Sequence, residues 1–306
     1  MSRSAVNKAV GSDRRRGTSV PGPPHHRARR IAGIGLLTVV LIAVIALLTD
    51  TFVAMRSEGS FSRSLLASPR VIYDPEVTLG GFPFLRHAAA GEFTGAVITA
   101  RGVPVTCPPP GGCHAELGAT LGELSVPDGF DIGPSDLVHT SSIDAYTRLD
   151  SVNLGRFLGI IDLSVNTPAP ENRAGAGGPG DGLLRRTTGV LLTGTVPLPP
   201  VDTETRFPPS ASEYPGSTVK VSVVVDVSVT DGRLHLRATD FYRGPEEHVD
   251  ADVPDDLRDY VLGKFTATLP RLPMPWDIAP QAAHSEGSDV LLEGTRDRAD
   301  VRPEDF

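Results

Sequence analysis

The chain has 306 residues and 40% hydrophobic content, enough for one large domain or two small ones with a real core. Its net charge of −8 is unevenly spread: residues 1–30 carry eight basic side chains against the single acid Asp13, a charge of +7, leaving −15 for the rest. An acidic main body lacks the basic face that displaces phosphate counterions, which argues against nucleic acid as its partner.

Residues 1–30 are polar, basic and rich in Pro, Gly and Ser, the composition of a disordered tail. Ile31 to Leu48 follows, an apolar run broken only by Gly33, Gly35 and Thr38. As a helix at ~1.5 Å per residue it approaches the ~30 Å hydrocarbon core of a bilayer. Arginines precede it and Asp50 follows, so residues 31–49 read as a single transmembrane anchor with the amino terminus cytoplasmic. The rival is a cleaved signal peptide, whose apolar stretch normally runs ~7–15 residues to a small-x-small site; Phe52-Val53-Ala54 fits that site poorly. Both readings export residues 50–295.

Phe52 to Ala67 continues as an amphipathic helix with Phe52, Val53, Phe61, Leu65 and Leu66 as its apolar candidates. Val71 to Leu79 reads as a strand with Pro75 inside it. Gly80-Gly81-Phe82-Pro83-Phe84-Leu85 then forms a strand-to-helix corner, with Pro83 suited to a helix start and Gly91 to its stop. Two aromatics and a leucine are expected to project together from it, as a core plug or as a contact for something apolar.

Phe93 to Val105 is strand-like again, and Ala115, Leu117, Ala119 and Leu121 alternate as a strand should. Between them lie the only two cysteines, Cys107 and Cys113. Their spacing suits a disulfide around a proline-rich loop in an oxidising compartment, although two cytosolic thiols give the same pattern. Val138 to Leu149 is a further strand, and Asp150 or Ser151 caps a short helix carrying Val152, Leu154, Phe157 and Leu158. Residues 168–182 read as a surface insertion, Leu183 to Leu198 as a strand, and 199–216 as a Pro/Ser-rich loop.

The clearest element is Val219 to Val229, with valine at every odd position. Asp231-Gly232 marks a tight turn into Leu234, Leu236 and Ala238. A long one-sided apolar strand has to cover a helix, another sheet or a ligand. Leu257, Tyr260 and Val261 mark a short helix after Pro254; Phe265–Leu269, Met274–Ile278 and Val290–Leu292 read as closing strands. Residues 296–306 are charged and read as a flexible tail.

Signatures of chemistry are missing from the sequence. No nucleophile elbow, phosphate loop, zinc helix motif or dinucleotide fingerprint occurs. The histidines have no ligand-like spacing, and the acidic run Glu246–Asp252 lacks the glycine and terminal glutamate of a calcium loop. Neither a metal nor a cofactor is expected. Scattered acids such as Asp150 and Asp240 leave open a glycolipid hydrolase, if two of them converge in the fold.

Gly80-Gly81-Phe82-Pro83-Phe84-Leu85, the following Gly91-Glu92-Phe93-Thr94-Gly95-Ala96-Val97-Ile98-Thr99-Ala100, and the closing run Phe265 to Trp276 together resemble the LmeA family of actinobacterial phospholipid-binding envelope proteins. The likeness covers roughly residues 52–295. It implies an α+β fold, an elongated and strongly curved antiparallel sheet wrapped on helices, of the tubular lipid-binding kind. It also implies a non-enzymatic, exported domain that binds phospholipid, with phosphatidylinositol-type lipids preferred and a role in maturing lipid-linked mannans. Exposing hydrocarbon to water costs ~0.8 kcal/mol per methylene, so a lipid carrier needs a continuous apolar lining. Phe82, Phe84, Leu85, Val221, Val223, Val225, Phe265, Met274 and Trp276 are the candidates, and each equally suits an ordinary core. The competing readings are an envelope adaptor without lipid and, behind it, the hydrolase.

Overall fold

A computed structural model describes residues 25–107, 112–166, 189–201, 210–242 and 253–306. The insertion at 168–182 and the acidic run Glu246–Asp252 lie outside the described residues, as does most of the basic tail. The chain divides into two units, Met1–Leu48 and Thr49–Phe306. In the first, every described residue is helical, and Ile34 through Leu48 hold their apolar side chains exposed. This stretch opens helix α1 (His25–Leu65), which from Gly33 onward is long and apolar enough to cross a membrane.

The second unit starts with the remaining turns of α1. Its buried face is richer in serine than the apolar pattern suggests: Ser57, Ser60 and Ser64 are buried beside Phe61 and Leu65. Several of these turns are stitched to the body by polar bonds. Glu58 accepts the Leu79 N–H at 3.0 Å, Ser60 Oγ accepts the Ile132 N–H at 3.1 Å, and Ser62 Oγ donates to the Pro75 carbonyl at 2.7 Å. Small hydroxylated residues let the helix approach closely, and each bond satisfies a backbone group that burial strips of water.

Strands β1 (Glu76–Gly80) and, after helix α2 (Phe84–Ala90), β2 (Glu92–Phe93) and β3 (Gly95–Val105) open the first sheet. Strands β4 (Cys113–Leu121), β5 (Leu124–Ser125) and β6 (Val138–Asp150) extend it. Helix α3 (Ser151–Leu158) then leads to a second sheet of β7 (Ile161–Asn166), β8 (Gly189–Pro197), β9 (Thr218–Thr230) and β10 (Arg233–Phe241). Helix α4 (Arg258–Lys264) and β11 (Ala267–Thr268) follow, and β12 (Ala282–Glu286) with β13 (Asp289–Val301) return to the first sheet.

The first sheet has the order β1-β3-β4-β6-β13-β12, with β2 and β5 paired alongside; the second runs β11-β10-β9-β8-β7. Every pairing is antiparallel. One face of the first sheet is buried through Ile98, Ala100, Leu117, Ala119, Ile143, Ala145 and Leu149, an alternation that period-2 side-chain geometry produces directly. Its other face is charged. Across it Tyr146 lies over Gly118, where any Cβ would collide with the ring, and its hydroxyl donates to Glu116 at 3.0 Å.

The valine strand behaves as its pattern demands. Val219, Val221, Val223, Val225 and Val227 of β9 are all buried. Val225 stands opposite Val190 of β8, and Val223 opposite Leu192 on one side and Phe241 of β10 on the other. On the reverse face Thr193 and Ser222 share a buried hydrogen bond of 2.7 Å. The β9–β10 turn carries positive φ at both central residues, 52° at Asp231 and 69° at Gly232, the mirror-image turn that matches strand twist. Asp150 caps α3 by accepting the Asn153 N–H at 2.7 Å, and Gly159 closes it in the left-handed region.

Four expectations need correcting. The α+β class and antiparallel pairing stand, but the strands form two sheets where a single curved one is implied. β1 begins after Pro75, whose missing N–H cannot join a ladder. Met274–Ile278 is not a strand: Pro275–Asp277 forms a short 3₁₀ turn between extended Met274 and Ile278, with Trp276 and Asp277 at φ of 48° and 50°. Residues 296–306 are not a loose tail: β13 pairs with β6 as far as Val301, and Phe306 is fully buried. Arg298 takes a left-handed φ of 44°, and the buried positions change phase there although the pairing with β6 keeps one register, so the strand does not read as one.

Candidate functional site

The corner after β1 is built as a rigid bracket. Gly81 has φ 137°, a conformation side chains resist, and a Cβ there would meet the His87 ring at 2.7 Å. His87 Nδ1 donates to the Glu92 carbonyl at 2.9 Å, holding that ring in place. Pro83 precedes α2 without capping it through a side chain. Asp50 supplies the cap instead, accepting the Leu85 N–H at 2.7 Å. Gly91, at φ 67°, ends α2 as expected.

The three apolar residues of the corner do not project together. Phe84 turns inward, 4% exposed, its ring 5.4 Å from that of Phe93. Phe82 is 74% exposed and Leu85 44% exposed. Consecutive positions on α2 are about 100° apart, so Phe84 and Leu85 cannot share a face.

The remaining nominated residues are interior. Val221, Val223, Val225 and Phe265 are fully buried, and Met274 and Trp276 nearly so. All six, with Phe84, belong to one contiguous apolar cluster that runs through both sheets. Met274 Sδ accepts from the Thr147 hydroxyl at 3.1 Å, and its carbonyl accepts from Arg70 at 3.2 Å. Trp276 stands edge-on to Phe306 with 5.0 Å between ring centroids, and its indole N–H donates to the Arg302 carbonyl at 2.9 Å. β12 packs against β8 and β9, and this seam is where the first sheet meets the valine strand.

A cleft of about 390 Å³ opens beside Trp276, bounded by Arg70, Asp277, Arg296, Asp300 and Glu304. Arg70 is already bound to Asp277 at 2.7 Å. Acids predominate, so the cleft suits neither an acyl chain nor a phosphate. On the charged face of the first sheet, Glu116 gathers Arg101 at 3.2 Å and Arg148 at 3.4 Å, while Arg148 reaches Asp289 at 3.6 Å. Burial pushes the Asp289 carboxyl above its ordinary range against the pull of Arg148. Burial, and then the charge of Glu116, pushes the Tyr146 phenol up as well. Asp150 is committed to its helix cap, and Asp240 accepts the N–H of the next residue, Phe241, at 2.8 Å.

Cys107 and Cys113 are joined, with Cα atoms 5.9 Å apart. Asn153 braces the bridge: its side-chain oxygen accepts the His114 N–H at 2.9 Å.

Comparison with family models gives one result of wide extent: the model described as LmeA-like phospholipid-binding matches residues 48–295. The chain belongs to the LmeA-like phospholipid-binding family. Neither the curated proteins nor the solved structures contain a match. The LmeA match stops short of the last β13 residues and of Phe306, which nonetheless complete the packing around Trp276. It takes in the whole corner, the disulfide and the valine strand. Sequence reasoning missed the role of Asp50 as the α2 cap, because nothing in the chain signals a partner 35 residues away.

Proposed function

We propose that this LmeA-like chain is a membrane-anchored phospholipid-binding protein. In this reading its folded body lies outside the cytoplasm and serves envelope lipid or lipoglycan assembly without making or breaking bonds. The observation that carries this is the family match over residues 48–295, taken with a single apolar cluster continuous through both sheets. The basic tail ahead of the apolar run, and the Cys107–Cys113 bridge, support the outward orientation. Acyl chains enter at the seam between β12 and the β8–β9 pair, where Ala282, Ala283 and Ser285 offer little side-chain bulk, and come to rest against Val221, Val223 and Val225. A phosphatidylinositol-type headgroup stays at the surface.

A second reading, an envelope adaptor without lipid, draws support from the close burial of those same valines and of Phe265. Solvent extraction of the purified full chain separates the two. The lipid carrier yields phospholipid of a restricted headgroup class after exhaustive detergent washing; the adaptor yields only the mixture of the surrounding membrane.

A further inference from the structure

We infer that the Phe82–Leu85 corner is a bilayer-contact device, an apolar tip that enters the interfacial layer of a phospholipid membrane. Asp50 follows the end of the apolar run, Leu48, by two residues in the chain. The same Asp50 holds the corner through the Leu85 N–H at 2.7 Å. Along the chain, Asp50 is where the apolar run gives way to polar sequence, the membrane boundary if the run spans, so the inference rests on the anchor reading.

What the corner displays suits that boundary. Phe82, Pro83 and Leu85 are exposed, and Arg86 is exposed beside them. Phe52 and Met55, each 67% exposed, stand in the turns of α1 just after Asp50. Aromatic and long apolar side chains interleaved with arginine match the layer where acyl chains meet phosphates. In water a phenylalanine held out on a rigid bracket is a loss, and a local apolar patch of this kind marks an interaction surface. The bracket admits only glycine at position 81, where φ is 137° and a Cβ would meet the His87 ring at 2.7 Å.

The test uses the full chain reconstituted into phosphatidylcholine–phosphatidylglycerol vesicles with brominated acyl chains. Trp276 is the single native tryptophan and is 7% exposed, so the wild type supplies the background signal. In Phe82→Trp the added emission is expected to be blue-shifted and largely quenched by the brominated chains. In detergent micelles holding one brominated lipid per protein, the quenching is expected to vanish. Emission typical of water and open to aqueous iodide overturns the inference. So does quenching that persists in the micelles, because Phe82 then touches a bound lipid rather than a bilayer. Release of the chain by alkaline carbonate removes the anchor reading and this inference together, whereas retention without quenching removes this inference alone.

Discussion

The division of labour within the corner makes a quantitative prediction. Phe84 is 4% exposed and tilts against Phe93 at 5.4 Å, whereas Phe82, two residues earlier, is 74% exposed. Phe84→Ala removes a buried aromatic packed against Phe93 and leaves a cavity, a loss of about 3–5 kcal/mol. For a body of this size each kcal/mol shifts the midpoint by roughly 2–4 °C, so Tm falls by about 6–20 °C. Phe82→Ser changes an exposed residue and stays within about 0.5 kcal/mol, a shift of at most a few degrees. Thermal unfolding of the full chain in detergent, followed through Trp276 fluorescence, reads both. Equal destabilisation by the two substitutions, or a neutral Phe84→Ala, refutes the inward–outward assignment. Phe84→Asp is then a poor probe of lipid loading, since it buries a carboxylate and unfolds the corner first.

Other expectations follow from single contacts. Asp150→Ala removes the α3 cap and costs about 1 kcal/mol, measured by urea denaturation, with Asp150→Asn largely restoring it. Reducing the Cys107–Cys113 bridge frees a short loop and costs about 2 kcal/mol by loop-closure entropy; in cells, both thiols resist maleimide until reductant is added if the body is exported. Asp289 titrates above its ordinary 3.8 because burial outweighs the attraction of Arg148, with Asp150 and Glu116 adding in the same direction. The folded state therefore holds that proton more tightly than the unfolded one, and the contribution is present at acid pH and lost as pH rises through the elevated pKa. Asp289→Asn is accordingly more stable than wild type at neutral pH, with the difference shrinking as pH falls toward 4. A constant difference across that range contradicts the assignment.

Much of the local structure was legible because its causes are local. The Asp231-Gly232 turn, the Asp150 cap, the Gly91 stop and the alternation in β4 and β9 each depend on neighbours within a few residues. What stayed hidden depends on distance. The partition into two sheets is decided by pairings such as β13 with β6, which join Val301 to Val138 across the length of the body. The end of β13 was masked by charge: Arg296, Asp297 and Arg298 face solvent, and the left-handed backbone at Arg298, φ 44°, returns Ala299 and Val301 to the interior out of phase. Trp276 sits among prolines that suggest an extended run, yet it turns at φ 48° to meet Phe306 and the Arg302 carbonyl.

The nominated lipid contacts divide along the same line. Residue type marked all nine as apolar surface, but only the fold separates Phe82 and Leu85, which face outward, from the seven that pack inside. Val221, Val223 and Val225 earn a place in a lipid path only if the seam beside β12 opens.

Native mass spectrometry of the full chain, released from detergent under gentle conditions, tests phospholipid binding most directly. The predicted spectrum contains a folded species carrying one phospholipid mass, exchangeable when a second phospholipid is supplied in excess. A folded, disulfide-intact species that is lipid-free throughout and stays so after that addition contradicts the proposed function.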